Sequence, residues 1–360
     1  MKVIISAGGT GGHIYPALAI VNKIKEKNPS STFLYIGTHN RMEKDIVPNH
    51  NIPFKSIKVY GFYRKHIFKN FKTIYFLIIS YFKCRKIIKK FNPDIVIGVG
   101  GYVTAPVILA ASKLKYKTII HEQNSIPGKS NIFLSKYVDK IVISFRSSAI
   151  YLPKTKVSFT GNPCSEYARN AETINKSSFG LTPESKLVYI VMGSLGSGKV
   201  NKFISDNFMA FKNKGYEVLF VTGKDFYDEI SFKSRPENVK IEPYIDNQAR
   251  LLKQADVVIT RCGATTLSEI IALQIPSILI PSPYVPDNHQ YKNGLDLVQN
   301  NAAIMIEEKD LNINEFINQI DNLIKDEKKL NTMKKSLKSL DIKNSASIIY
   351  DEIKELVDRK

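Results

Sequence analysis

The run Ser6-Ala7-Gly8-Gly9-Thr10-Gly11-Gly12-His13-Ile14-Tyr15-Pro16 follows the apolar stretch Val3-Ile4-Ile5 and precedes Ala17-Leu18-Ala19-Ile20-Val21, so a strand passes through a glycine turn into a helix. Four glycines let the backbone turn sharply and approach a bound group, and the N–H groups that open the helix attract negative charge. His13 ends the turn, where a titrating imidazole can meet a ligand. The spacing is not the dinucleotide fingerprint, because the sixth position counted from Gly9 is Ile14 and not glycine. By itself the turn equally fits an ordinary tight strand-to-helix connection.

Outward from this turn, strands and helices alternate. Strands are expected at 2–7, 32–37, 53–59, 94–99, 118–122, 140–144 and 156–160, with helices over about 14–27, 68–90 and 105–114. Short β-branched runs between helical stretches predict a parallel sheet covered on both faces. Such sheets bind ligands at the carboxyl ends of their strands, and the clusters 8–13, 98–102 and 121–124 stand there and outline a cleft. After the linker Gly161-Asn162-Pro163 the pattern restarts, with strands at 187–192, 217–222, 239–245, 257–260, 277–280 and 303–307. Helices are expected from the second glycine turn to about 213, near 248–254, over 265–273 and near 289–299. The fold class is therefore α/β, two doubly wound Rossmann-like domains facing a cleft, over 1–161 and 162–343. The tail 344–360 carries Ile349, Ile353 and Leu356 on one helical face, able to pack on either domain.

Bulk properties agree, since 360 residues are too many for one ordinary core. The cysteines, Cys84, Cys164 and Cys262, show neither a disulfide framework nor paired metal spacing. Met1-Lys2 leads straight into a strand with no secretory signal, so a cytoplasmic protein is expected. The formal charge of +19 implies an anionic partner. From Ile46 to Pro93 there is no Asp or Glu but there are eleven Lys or Arg, among them Lys69, Lys72, Arg85 and Lys86. Between them lies Ile74-Tyr75-Phe76-Leu77-Ile78-Ile79-Ser80-Tyr81-Phe82, nine apolar or near-apolar residues, too few to cross a bilayer, which needs roughly 20. An apolar segment flanked by cations suits an anionic leaflet, and a buried helix with basic ends is the plainer reading. No nucleic-acid motif is recognisable, and the cations do not line an aromatic stacking face.

Three further stretches bear on chemistry. Gly193-Ser194-Leu195-Gly196-Ser197-Gly198-Lys199-Val200 nearly matches the phosphate loop, but Val200 stands where a magnesium-binding hydroxyl belongs. What survives is a strand–glycine–helix turn with Ser194 able to donate to an oxygen. In Thr260-Arg261-Cys262-Gly263-Ala264-Thr265-Thr266-Leu267-Ser268-Glu269, hydroxyls and N–H groups converge at a helix start. Glu269 either accepts ribose hydroxyls or closes a capping box with Thr266. His289 or Gln290 either bonds phosphate or sugar or merely caps a helix.

Taken together, residues 8–19, Gly100-Gly101-Tyr102-Val103, His121-Glu122-Gln123-Asn124, Gly161-Asn162-Pro163 and 263–270 resemble, in order over nearly the whole chain, the MurG family of peptidoglycan N-acetylglucosaminyltransferases. The resemblance implies the glycosyltransferase B fold, with the C-terminal helix returning to the first domain. It implies UDP-N-acetylglucosamine (UDP-GlcNAc) as donor and lipid I, undecaprenyl-pyrophosphoryl-N-acetylmuramyl-pentapeptide, as acceptor, joined by an inverting β-1,4 transfer that gives lipid II. No cofactor is implied. Donor contacts would come from Thr10, Gly11, Gly12 and Asn124, and from Ser194, Ile245, Ala264, Thr265, Thr266, Glu269 and Gln290. In the family the uracil is read near Ile245 and the ribose by the Glu269 equivalent. Tyr102, with Lys69, Lys72, Phe76, Leu77, Arg85 and Lys86, would serve the acceptor and an anionic membrane, placing a peripheral enzyme on the cytoplasmic face of the cell membrane. Two departures stand out: Cys164-Ser165-Glu166 replaces a region where relatives carry Arg, and Met192-Gly193 replaces Gly-Gly before Ser194.

Inversion needs one base to deprotonate the acceptor hydroxyl. His13 is the candidate, since an imidazole titrating near pH 6.5 is largely neutral at cytoplasmic pH. Its duller role is to bind pyrophosphate or donate to a loop carbonyl, and Glu122 is the reserve base. No Asp-x-Asp occurs, so a metal clamp is not indicated, and the helix start at Thr265–Thr266 must offset the diphosphate charge. The alternatives are another UDP-sugar-dependent transferase or epimerase of the same fold, or a basic interaction protein.

Overall fold

The computed structural model describes residues 1–61, 69–193 and 196–359, with Lys69 by its backbone alone. It divides into two compact units, Met1–Cys164 with Asn344–Lys360, and Ser165–Lys343. The first contains β1 (Lys2–Ala7), α1 (Gly11–Lys27), β2 (Thr32–Thr38), α2 (Glu43–Asn49), β3 (Phe54–Ile57), α3 (Lys69–Phe91), β4 (Ile95–Gly100), α4 (Thr104–Lys113), β5 (Lys117–Glu122), α5 (Lys129–Leu134), β6 (Lys140–Ile143) and β7 (Val157–Phe159). Helix α6 (Pro163–Asn170) crosses the boundary. The second unit contains β8 (Leu187–Val191), α7 (Gly198–Asp206), β9 (Glu217–Val221), α8 (Lys224–Ser231), β10 (Val239–Glu242), α9 (Ala249–Leu252), β11 (Val257–Thr260), α10 (Ala264–Leu273), β12 (Ser277–Leu279), α11 (His289–Gln299), β13 (Ile304–Met305), α12 (Ile313–Lys325) and α13 (Glu327–Leu340). Helix α14 (Ser345–Asp358) belongs to the first.

Both sheets are parallel among the described residues, ordered β3-β2-β1-β4-β5-β6-β7 and β10-β9-β8-β11-β12-β13. The chain therefore winds outward from β1 and then from β4, and in the second unit from β8 and then from β11. The switch points between those pairs are where doubly wound sheets leave a crevice at their carboxyl edge. β4 reads Ile-Val-Ile-Gly-Val-Gly and is buried throughout, as a strand covered on both faces must be.

Helices cover each face. Ile14, Ala17, Leu18, Val21 and Ile24 of α1 pack with Ile349, Ile353 and Leu356 of α14 against one face of the first sheet. Lys140 and Glu352 add an ion pair at 2.7 Å. On the other face Cys84 and Ile88 of α3 and Val107, Ile108 and Ala111 of α4 are buried. In the second unit, Phe316, Ile317, Ile320, Leu323 and Ile324 of α12 join Val200 and Ile204 of α7 in one cluster.

Six helices lie outside the sequence expectations. α2, α5, α6 and α8 have six to eight residues each, too short for a periodic stripe to stand out. α12 and α13 start on side-chain caps from Asn312 and Asp326 in a polar stretch left unassigned. The helix expected to run to about 213 stops at Asp206, followed by a 3-10 turn over Phe208–Phe211.

Candidate active site

In the first unit the site grows from the turn between β1 and α1. The register of β1 on β4 shifts between Ser6 and Ala7, so Ala7 stands opposite Gly100, and the Gly8 N–H donates to the Gly100 carbonyl at 3.2 Å. Gly101, with φ +87°, lies so close that a Cβ there would come 2.3 Å from the Gly8 carbonyl oxygen. Only glycine fits that approach.

Beneath the turn lies a carboxylate that sequence reasoning missed. Glu43 of α2 is fully buried. It accepts the Gly9 N–H at 3.1 Å through one oxygen, and the Thr38 N–H at 2.9 Å and hydroxyl through the other. A Cβ on Gly8 would meet the same carboxylate at 2.4 Å. The signal in sequence is faint, a lone Glu shortly after the Gly37-Thr38 strand end.

α1 opens with Thr10 as its extended N-cap, without a side-chain cap bond and with no acidic residue in the first turn. The N–H groups of Gly11 and Gly12 fall in the turn that has no intrahelical acceptor, so this end favours an anion. His13 is half-buried, and its Nδ1 lies 3.1 Å from the Gly8 carbonyl. A carbonyl only accepts, so Nδ1 carries the proton and Nε2 bears the lone pair. Gly100 packs against the ring, where a Cβ would come 2.6 Å from its Cδ2. Tyr102 is exposed, with its ring over Gly61.

Behind this surface is a buried polar network. Gln123 Nε2 donates at 2.8 Å both to the Val99 carbonyl and to His121 Nδ1, leaving the His121 proton on Nε2, which faces Ser144 Oγ at 3.1 Å. Burial holds the His121 imidazole down at a pKa of about 3; a backbone hydrogen bond with Gly161 opposes the shift and nearby His13 adds to it.

Glu122, the reserve base of the sequence reading, is a loop brace. It is 1% exposed, accepts the N–H of Asn124 at 2.9 Å through one oxygen, and accepts the Gly128 N–H at 2.9 Å and the Asn131 amide at 2.8 Å through the other. A carboxylate so engaged has no approach to an acceptor hydroxyl. Its work is to hold the loop that carries Asn124.

In the second unit the turn between β11 and α10 ends in Gly263 as N-cap. Ala264, Thr265 and Thr266 form the first turn, again free of acidic residues, and the Thr265 hydroxyl is buried without a hydrogen-bond partner. Thr266 is the third residue inside the helix, so Glu269 closes no capping box. Instead its carboxylate accepts from Gln248 Nε2 at 3.3 Å, which joins it to the segment holding buried Ile245. Desolvation pushes Glu269 up to a pKa of about 7, the Gln248 bond opposing. Gln290, at the start of α11, accepts the Ser282 N–H at 2.9 Å. Ser194 lies outside the described residues.

The basic helix α3 corrects the sequence reading of its outer face. Phe76 and Leu77 are half-buried, and Phe76 meets the Tyr60 ring at 5.3 Å with the Lys58 ammonium 4.6 Å from its own centroid. Phe71, Ile74, Tyr75, Ile78, Ile79 and Phe82 point outward instead, Phe71 at 69% exposure and Tyr75 at 61%. Polar Thr73 and Ser80 turn inward, donating to the carbonyls of Gly61 and Lys58. Lys72 and Lys86 are exposed beside this face, while Arg85 is half-buried and donates to the Tyr81 hydroxyl. Among the described residues no helix is long and apolar enough to cross a membrane, and no group of three or more His, Cys, Asp or Glu side chains is placed to hold a metal ion.

Comparison with known proteins follows the same two units. Residues 3–143 match the glycosyltransferase family 28 N-terminal domain, and residues 187–349 the family 28 C-terminal domain. A Bacillus cytotoxicus protein named UDP-N-acetylglucosamine–N-acetylmuramyl-(pentapeptide) pyrophosphoryl-undecaprenol N-acetylglucosamine transferase is 45% identical over 362 residues, covering 99% of this chain and all of that one. A protein of the same name from Bacillus licheniformis is also 45% identical, covering 99% of each. Among solved structures, Acinetobacter baumannii MurG superposes with a TM-score of 0.77 at 24% identity, covering 98% of this chain and 99% of that one. A UDP-GlcNAc 2-epimerase from Neisseria meningitidis gives 0.68 at 16% identity over 99% of this chain and all of that one.

The buried imidazole sets a pH dependence. His121 stays neutral in the folded state down to about pH 3, whereas in the unfolded chain it binds a proton below about pH 6.5. Its contribution is complete above that value and is lost on acidification at about 1.4 kcal/mol per pH unit. Urea unfolding of the first unit between pH 6.5 and 5 is expected to show this slope and His121→Gln to remove it; equal slopes would refute the assignment.

Proposed function

The chain belongs to glycosyltransferase family 28, and on that premise we propose that it transfers N-acetylglucosamine from UDP-GlcNAc to the C4 hydroxyl of the N-acetylmuramyl sugar of lipid I, giving lipid II for peptidoglycan synthesis. The observation that carries this reading is 45% identity across the full length of a transferase whose name states that donor and acceptor. The epimerase alternative rests on likeness of fold alone, at 16% identity.

In the mechanism proposed, His13 Nε2 takes the proton of the acceptor hydroxyl as it attacks the anomeric carbon from the face opposite UDP, and the configuration inverts. The Gly8 carbonyl selects the tautomer in which Nε2 carries the lone pair. In the first unit Thr10, Gly11, Gly12 and Asn124 serve the donor, and Tyr102 serves the acceptor. In the second unit the first turn of α10 supports the departing diphosphate with its N–H groups and the Thr265 hydroxyl. Ile245 and Glu269 take the uridine, Gln290 the sugar, and Ser194 a phosphate oxygen.

The outward apolar face of α3, with Lys72, Lys86 and the neighbouring cations, rests on an anionic leaflet at the cytoplasmic face of the cell membrane, where a polyprenyl-linked acceptor is presented. Burying the exposed rings and branched chains supplies apolar transfer energy, and the cations supply attraction.

Transfer of labelled GlcNAc to a lipid I analogue tests the whole reading: His13→Ala should lower kcat by about 10²-fold or more with the donor KM little changed, and unchanged turnover would remove His13 as base. Ribose hydroxyls donate to ionised Glu269, so between pH 7.5 and 6 the donor KM should rise about eightfold, from the pKa of about 7. Glu269→Gln should weaken donor binding and flatten that profile; a profile as steep as the wild type's would count against ribose binding there. Ile78→Ser with Phe82→Ser should cut partition onto anionic vesicles by about tenfold or more, whereas full retention at physiological salt would assign the face elsewhere.

A further inference from the structure

The carboxyl edge of the second unit holds a buried ion pair that the donor contacts named above do not use. Arg261 follows β11 and is only 7% exposed. Its Nη1 donates to the carbonyls of Ile280 and Pro281, both at 3.2 Å, just past β12. Its Nη2 donates to Ser197 Oγ and to Glu308 Oε2. One guanidinium thus ties together the chain after β8, β11, β12 and β13. A planar fork held by carbonyls on one side and by a carboxylate on the other has its plane fixed, which a lysine could not reproduce.

Ser197 is the N-cap of α7 but makes no cap bond to the helix, so its hydroxyl is set by Arg261 and not by its own helix. Asn201, one turn on, donates to the Thr222 carbonyl at 2.6 Å and pins the same end of α7 to the end of β9. Glu308 is 4% exposed, and its Oε1 has no hydrogen-bond partner; the Lys199 ammonium stands 3.8 Å away. Beside these groups opens a recess of about 420 Å³, lined by Ser197, Lys199, Arg261, Tyr284 and Gln290 among others. Gln290 is one of the donor residues proposed above, so the recess continues the donor site.

We propose that Arg261 and Glu308 are a positioning pair: Glu308 holds the guanidinium in the plane in which it fixes Ser197, and so fixes the start of α7 against the diphosphate end of the donor. Without Glu308 the guanidinium is no longer held in that plane, Ser197 is no longer fixed, and the N–H groups of α7 lose their alignment. The inference rests on the second unit binding a UDP sugar.

Steady-state kinetics with UDP-GlcNAc and a lipid I analogue, with calorimetric titration of UDP, test it. Glu308→Gln keeps the volume and removes the charge. It is expected to raise the donor KM and the UDP dissociation constant about tenfold, with kcat and the acceptor KM within about twofold. Ser197→Ala should shift the same two constants in the same direction by about threefold. A merely structural role would lower thermal stability and the active fraction, hence kcat, without a selective change in donor constants, and that outcome would overturn the pair. If Glu308→Gln does not fold, Ser197→Ala alone decides, an unchanged donor KM overturning the proposal. Absence of UDP binding by the wild-type chain would overturn the donor reading and the pair together; wild-type binding with unaltered variant constants would overturn the pair alone.

Discussion

In the turn after β1 the acceptor for the Gly9 N–H is a side chain from elsewhere, the buried carboxylate of Glu43. Its oxygens accept from Gly9 and from Thr38, so the end of β2 holds the turn that follows β1. Leaving such donors unpaired away from water costs about 1–3 kcal/mol each. Glu122 does the same for the loop after β5 through Asn124, Gly128 and Asn131. In the second unit a buried cation takes the part, Arg261 lacing the turns at its carboxyl edge with Glu308 as counter-ion. A parallel sheet gathers every strand-to-helix turn at one edge. Buried charge then gives those turns a shape.

The sheets and the turns were legible because their signal is local. Val3-Ile4-Ile5 before four glycines, or Val257-Val258-Ile259 before Gly263, states strand and turn within a dozen residues, and β1, β11 and α11 fall where the pattern puts them. The braces were not legible. Glu43 lies 34 residues from Gly9 and Glu308 lies 47 from Arg261, and nothing in either neighbourhood distinguishes these carboxylates from solvated ones. Glu122 reads in the sequence as a reserve base and in the structure as a brace, because a motif shows that a carboxylate is present and not which donors already occupy it.

α3 was misread for a different reason. Nine consecutive apolar or near-apolar residues leave no contrast from which to choose an inner face, and the helix chooses by backbone contact: Thr73 and Ser80 find carbonyls inward. Phe76 follows them to Tyr60. The outward-facing rings at positions 71, 75 and 82 are then an exposed apolar strip on a strongly basic surface, and strips of that kind mark an interaction face. Which side chains of α3 reach the surface is thus set by where two small hydroxyl side chains are satisfied.

The packing of α14 on α1 has a consequence for how the molecule is made. Ile349, Ile353 and Leu356 complete a core begun by Ile14, Ala17 and Val21, yet the ribosome translates them only after all of residues 165–343. Throughout that interval the nascent first unit carries an uncovered greasy furrow, and the second unit has its whole sequence before the first does. Chain order and folding order are therefore opposed, and a nascent-chain chaperone would find its longest-lived target on the half that was synthesised first.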